Sequence, residues 1–533
     1  MVDQYPILTV IPPLGAIILA IATRRVRLSL GAGIVAAALL VTDLDVVAAL
    51  KAIWAAFAGI FWDEGAVNTG NVYILLFLVL LGVLTSMVLM SGGSAAFSDW
   101  IGARIRSRRS AQSMAGGLGV LIFIDDYFNA LAVGQIAKPV TDTRGVSRAK
   151  LAYIIDSTSA PVSVLMPFSS WGASIIGILA PIFAASTIQV SDVGGFLGAA
   201  AANFYAIAAI IAVFLVIYLR VDFGPMRREE NRAHHRGEAY AANANIPGEL
   251  SAGLPVHRPG AKRSLVVPFL VLVIGVIAAM FATGRAASGS TDPMEMLANT
   301  NVSDSLIIGA VAGLATALFY YARVTVPAGT FSAATLVRGS WEGAKSMKDA
   351  IIILLLAWML GTVVGELGTG DYLGGLVADS GMSSAWLVPL MFVAAAAMAF
   401  STGTSWGSFG LLLPIAGDML IAANADAYLV AALGAVLAGA VWGDHCSPIS
   451  DTTILSATGA GCDVVTHVST QLPYAITVGA AALAGYVAYA ATDSIGLGLA
   501  ATLVLVLAAL AVIGRVTGHV EDHPTREAAP AAG

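Results

Sequence analysis

RIRSRRSAQSMAGGLGVLIFIDDYFNALAVGQIAKPVTDTRGVSRAK, residues 104–150, decides the fold. Arg104, Arg106, Arg108 and Arg109 precede an apolar stretch, and Lys138, Arg144, Arg148 and Lys150 follow it. Short loops on the cytoplasmic side of a membrane are enriched in Lys and Arg. With both flanks on that side, residues 111–138 cannot cross. They are expected to enter and return as a re-entrant hairpin with its tip near Asp125–Asn129.

The rest of the chain supplies the membrane. Hydrophobic residues make up 58% of the sequence and charged residues only 11%, against about 25% charged in soluble domains. A bilayer-spanning helix needs ~20 apolar residues. Such stretches are expected at 7–23, 28–42, 71–90, 151–182, 194–219, 264–284, 303–322, 349–367, 427–466, 470–491 and 495–514. The first has no basic residue ahead of it and is followed by further apolar segments, so it reads as a span rather than a secretory signal. A second interrupted segment covers 386–420. No Lys or Arg occurs between Lys348 and Arg515, so this hairpin is expected to enter from the outer side, and the turn near His467 lacks a basic marker. The expectation is an all-α polytopic protein of the inner (plasma) membrane with about 11 transmembrane helices and two hairpins, its N-terminus outside and its C-terminus cytoplasmic. Cys446 and Cys462 both lie in apolar surroundings and suggest neither a disulfide framework nor a metal cluster. The basic residues are spread over loops, which argues against nucleic-acid binding.

A weak repeat follows. Trp62–Ala66 (WDEGA) resembles Trp341–Ala344 (WEGA), Leu81-Gly82 matches Leu360-Gly361, Phe123 matches Phe400, and DSTSAP at Asp156–Pro161 matches DHCSP at Asp444–Pro448. Each half would hold five crossings and one hairpin. An odd count inverts the second copy, a recurrent transporter plan whose site lies where broken helices meet. The expected division is 1–222 for the first repeat, 223–263 for a cytoplasmic linker loop, 264–491 for the second repeat, and 492–533 for an extra helix and polar tail.

The chemistry sits in four runs. Asp125, Asp126 and Asn129 lie in FIDDYFNALAVG, and a carboxylate at bilayer depth costs at least ~2.5 kcal/mol, which calls for a function or for water. Asp156 is followed by Ser157, Thr158 and Ser159, whose hydroxyls offer the hard oxygen that sodium prefers; an N-cap role would suit the same residues. Pro161 is expected to break the helix there. Thr402, Gly403, Thr404 and Ser405 form the second hairpin's tip, where small residues let backbone approach a ligand. GDHCSPISDTT, Gly443–Thr453, places Asp444, His445, Ser447, Asp451 and Thr452 in an apolar segment with Pro448 between the acids. With no intramembrane Lys or Arg in this half to neutralise them, the carboxylates invite a cation or a proton. Asp156, Asp444 and Asp451 are the candidate Na⁺ ligands. His445 suits a proton relay, its pKa lying near neutrality. Glu366, Asp418 and Asp463 lie near span ends and are weaker candidates.

GDHCSPISDTTILSATGAGCD resembles the signature of the NhaC family of sodium/proton antiporters, and FIDDYFNALAVG and DSTSAPVSVLMPFSSWGAS resemble its first-half motifs. The resemblance covers residues 60–480. It implies two inverted repeats, a scaffold and a mobile transport region, often paired as a homodimer. It also implies a secondary transporter with no cofactor beyond Na⁺ and H⁺, carrying the Asp/Ser/Thr positions over to Asp156, Asp444, Ser447 and Asp451. Relatives of this type exchange sodium or protons for organic acids or amino acids, so a small organic substrate of the same fold is the alternative. Two other classes are weaker. Gly403–Gly407 (GTSWG) matches GxSxG, and with His445 it would mimic a serine hydrolase, but the pattern's strand–turn–helix context is missing. No GxxxxGK[ST] loop is present for ATP-driven transport.

Overall fold

The computed structural model describes residues 5–520 apart from 24, 64, 103, 124–125, 168, 247–253, 258–259, 329–331, 370–371 and 373–383. Its described residues form helices and one small hairpin, Trp62–Asp63 paired with Ala66–Val67. Among the described residues eight helices are long and apolar enough to cross a bilayer: Thr69–Met90, Arg263–Ser288, Val302–Thr325, Ala333–Glu366, Ser384–Thr402, Asp426–Cys446, Val464–Thr492 and Ile495–Thr517. One further pair, Val193–Ala201 and Phe204–Leu219, passes the same test as a broken span bent by 58°. The protein is an all-α polytopic membrane protein.

Several expected spans are short or subdivided, and local breaks and caps explain the two that divide, 151–182 and 427–466. Segments 7–23 and 28–42 form the helices Ile11–Thr23 and Val26–Val41, both shorter than the ~20 residues a crossing needs. Segment 151–182 is two helices, Arg148–Ser163 and Ser170–Ala185, because Ser169 caps the second through the Gly172 N–H. Segment 427–466 divides into Leu429–Cys446 and Asp451–Ala460. Pro448 has no N–H to continue the first helix, and Ser450 starts the next by accepting from Thr453 N. His467 lies in no turn: Asp463 caps the helix Val464–Thr492, and His467 is fully buried in its first turns. Pro161 does not break its helix at the preceding residue, since the helix runs two residues further, to Ser163.

The linker expected as a loop contains a helix, Gly224–Arg236, with Pro225 in its first turn, His234, His235 and Arg236 in its last, and Gly237 at φ +70° closing it. Each is a favourable end signal. The WDEGA/WEGA match does not extend to local structure: residues 62–67 carry the small hairpin, whereas Trp341 lies within the helix Ala333–Ser346.

Both interrupted segments are helix pairs. The first is Arg108–Leu121 followed by Asp126–Thr143, the second Ser384–Thr402 followed by Ser405–Ala422. The first pair is stitched by Asn129, whose Nδ2 donates to the Gly119 and Ile122 carbonyls at 2.6 and 2.8 Å and to Thr158 O at 3.1 Å. Asn129 thus belongs to the second arm rather than to the tip. The second pair turns at Gly403, whose φ of +72° suits glycine and whose surroundings leave no room for a side chain against Ile449.

Small residues bring these pairs onto the split helices. Gly134 and Gly459 meet backbone to backbone, so a Cβ on either would collide with the other helix. Gly439 and Gly443 lie against the Phe392 and Ala396 carbonyls in the same manner. Close packing through small residues is the usual way membrane helices associate.

Candidate functional site

Three of the carboxylates of interest, Asp126, Asp444 and Asp451, lie at or beside helix breaks. Asp126 is the first residue of its helix and is buried; Trp171 Nε1 donates to its Oδ1 at 2.8 Å. Trp171 also packs on the second hairpin, with ring centroids 5.0 Å from Trp406 and 5.6 Å from Phe409. One indole therefore touches both hairpins. Asp125 lies outside the described residues.

Asp156 sits mid-helix, not at a cap, and is completely buried. Ser456 Oγ donates to its Oδ1 at 3.0 Å, Gln471 Nε2 donates to Oδ2 at 2.5 Å, and His467 Nε2 lies 3.2 Å from Oδ2. The same Gln471 nitrogen reaches the His445 carbonyl at 2.9 Å, so Asp156 and the 443–453 run share one amide. His445 Nδ1 pairs with the Tyr205 hydroxyl at 3.2 Å. The hydroxyls after Asp156 turn elsewhere. Thr158 Oγ1 donates to Ile154 O at 2.7 Å, Ser159 Oγ donates to Asp156 O at 3.1 Å, and Ser157 is buried beside them.

Asp444 lies in the last turn of its helix. Thr452 Oγ1 donates to its Oδ2 at 2.9 Å, while Oδ1 is buried without a well-formed hydrogen bond among the described residues. Thr452 Oγ1 also lies 2.9 Å from Ser450 Oγ. Asp451 opens the next helix. Its Oδ1 accepts from Thr452 N at 2.8 Å, and Oδ2 accepts from the Tyr127 hydroxyl of the first hairpin. None of the three acids is paired with Lys or Arg among the described residues.

Asp451 forms part of the wall of a cavity of about 230 Å³ together with Asn71, Trp358, Thr362, Thr402, Gly403 and Thr404. The second hairpin's tip is fixed to the broken helices. Ser447 Oγ donates to Phe400 O at 2.9 Å and Ser405 Oγ to Ala440 O at 3.3 Å. The Ser405 hydroxyl is thus directed at a carbonyl, while His445 is engaged with Tyr205; the two do not form a nucleophile–base pair. Thr404 caps the second arm through Trp406 N at 3.2 Å.

The structure therefore brings the sequence-identified residues together through three small groups. Asp126 meets Trp171; Asp156 meets Ser456, His467 and Gln471; Asp444 and Asp451 share Thr452 beside the hairpin tip. Among the described residues no three His, Cys, Asp or Glu side chains converge as a metal cluster. A sodium ion here would have to be held by a carboxylate with hydroxyl and carbonyl oxygens, donors that fit a hard cation. Glu366 is exposed, and Asp463 is the N-cap just described. Sequence reasoning missed Tyr127, Trp171, Ser456 and Gln471 as partners; the visible signal was a glutamine and a histidine one helical turn apart in an apolar span.

Comparison with known proteins gives the family of the chain. The sequence model of the Na⁺/H⁺ antiporter family matches residues 162–491, more than half of the chain. An uncharacterised protein of Haemophilus influenzae is 45% identical over 505 residues, covering 93% of each chain. An uncharacterised Na⁺/H⁺ antiporter of the same organism is 34% identical over 128 residues, 24% of this chain and 26% of its own length. A malate-2H⁺/Na⁺-lactate antiporter of Bacillus subtilis is 40% identical over 77 residues, 14% and 16% of the two chains. The chain is a multi-pass membrane secondary transporter and belongs to the Na⁺/H⁺ antiporter family.

Proposed function

We propose that the protein exchanges sodium for protons, with Asp451 and Asp444 as the carboxylates that alternately hold Na⁺ and H⁺. The observation that carries this reading is the cavity walled by Asp451 and the Thr402–Thr404 tip, with the Asp444 oxygen that lacks a well-formed hydrogen bond behind Thr452. A bare carboxylate in a low-dielectric interior is costly. Either a cation or a proton removes that cost, and both together are disfavoured, which is competition at one site. Asp156 is not among the residues that line this cavity, and its two oxygens are already met by Ser456, Gln471 and His467. In this reading it organises the site and accepts the ion only after those donors rearrange.

The two helix pairs would act as re-entrant hairpins of two inverted repeats, with the N-terminus outside and the linker and C-terminus cytoplasmic. The chain would pair as a homodimer in the inner membrane and need no cofactor beyond its ions.

The test is reconstitution in liposomes carrying a pH-sensitive dye. A sodium gradient with no organic solute present should move protons, and Asp451→Asn should abolish the signal. Sodium-independent behaviour that appears only with a malate- or amino-acid-like solute would replace this reading with organic-solute exchange.

A further inference from the structure

The chain's surface holds a basic, aromatic cluster that includes none of the candidate-site residues. The helix Gly93–Gly102 follows the span Thr69–Met90, and its Trp100 carries two cations, one from the residues just after that helix and one from the end of the linker. Arg104 Cζ lies 4.5 Å from the indole centroid and Lys262 Nζ 4.3 Å from it. Cations over an aromatic ring attract its negative face. Arg104 Nη1 also donates to Trp100 O at 3.2 Å.

The arrangement is built rather than incidental. The end of the linker docks on the turn after Met90: His257 N donates to Met90 O at 2.8 Å, and Gly260 lies so close to Gly92 that neither tolerates a side chain. That docking delivers Lys262 to Trp100. Arg104, Lys262 and the adjacent Arg263 are all exposed, and no carboxylate is paired with Arg104 or Lys262 among the described residues. Asp99, also exposed, is the acid nearest in sequence. Two like charges held against one ring repel each other unless an anion joins them.

The height of the cluster identifies the anion. Met90 ends one span and Arg263 begins another, and the linker contact brings those two ends together. Trp100 therefore lies at the boundary of the hydrocarbon, where tryptophan is favoured. Clustered Lys and Arg immediately beyond a span attract anionic lipid headgroups. We propose that Trp100, Arg104 and Lys262 form a docking site for the phosphate headgroup of an anionic phospholipid, bridging the start of the first hairpin region and the first span after the linker.

The experiment uses the full-length protein in uncharged detergent, with thermal unfolding as the readout. Phosphatidylglycerol should raise the Tm, whereas phosphatidylcholine and inorganic phosphate should not. The Arg104→Gln/Lys262→Gln double variant should lose the shift, while Arg285→Gln, an exposed cation at the far end of the Arg263–Ser288 helix, should keep it. An undiminished phosphatidylglycerol shift in the double variant overturns the proposal. An equal shift with inorganic phosphate also overturns it, because the site would then read free phosphate rather than a lipid. Should the double variant fail to fold, each single variant is read in the same way.

Discussion

At the scale of single residues, the buried acids are defined by their donors. Gln471 serves two acceptors at once, Asp156 Oδ2 and the His445 carbonyl. Replacing it with Leu keeps most of the volume, removes the donor from both acceptors and leaves Asp156 Oδ2 with His467 alone; an acceptor left buried and unsatisfied costs about 1–3 kcal/mol. Gln471→Leu should therefore lower the Tm clearly, and an unchanged Tm would mean the amide is not structural. Trp171→Phe probes a different link. It keeps a ring against Trp406 and Phe409 but removes the N–H held by Asp126. Loss of a hydrogen bond to a charged group costs about 1.5–3 kcal/mol. The expected signature is altered sodium affinity or rate with the fold retained, seen in liposome exchange; wild-type kinetics would show that the Asp126–Trp171 bond plays no part. Asp126, Asp156, Asp444 and Asp451 were legible in the sequence because acids inside apolar runs demand a reason. Their donors were not. Trp171 lies 45 residues from Asp126, and Tyr127 lies 324 residues from Asp451, and no local pattern reports pairings at such separation.

Elements reach the site through glycine. The helices Asp126–Thr143 and Asp451–Ala460 touch where Gly134 and Gly459 exclude any side chain, and that contact sets Tyr127 within reach of Asp451. Gly134→Val should force the helices apart at an overpacking cost of about 1–3 kcal/mol and weaken sodium-driven exchange as the Tyr127 contact lengthens. Gly117, which has open space around its Cβ position, should tolerate Ala far better. If the two substitutions lower the Tm equally, close approach is not the reason. The helix pairs at both interruptions were legible because charge placement and polar residues mark them in an otherwise apolar chain. Helix lengths were legible only in part: Pro448 marked the break within 427–466, but the break within 151–182 depends on a single capping serine, Ser169. A hydropathy window of about 20 residues passes over a one-residue cap. The linker helix was hidden for the opposite reason: its polar face reads as a loop until its capping Pro225 and Gly237 are weighed together.

Across the whole molecule, that linker helix ties the helices around Asp156 to the last span. Its Glu230 is fully buried, pairs with Arg108 at the start of the first hairpin arm, and accepts from the Ser147 N–H at 2.8 Å. Ser147 caps the helix that carries Asp156. Beside it Lys150 and Asp222 form a buried pair at 2.6 Å, with Arg109 and Arg220 around the same small cavity. From the same helix, Arg227 reaches the Thr517 and Gly518 carbonyls that end the last span. Burial pushes the Glu230 carboxyl above its ordinary value of 4.5, opposed by the Arg108 guanidinium and reinforced by Asp222. The folded protein then holds the Glu230 proton more tightly than the unfolded chain does. Its contribution to stability is complete below 4.5 and declines as pH rises from there through the raised folded value. Glu230→Gln cannot titrate and should be flat over that interval. The Tm of the wild type relative to Glu230→Gln should therefore fall as pH rises from 4.5 toward neutrality. A difference that grows with pH would show that the Arg108 ion pair, rather than burial, sets the charge of this carboxylate.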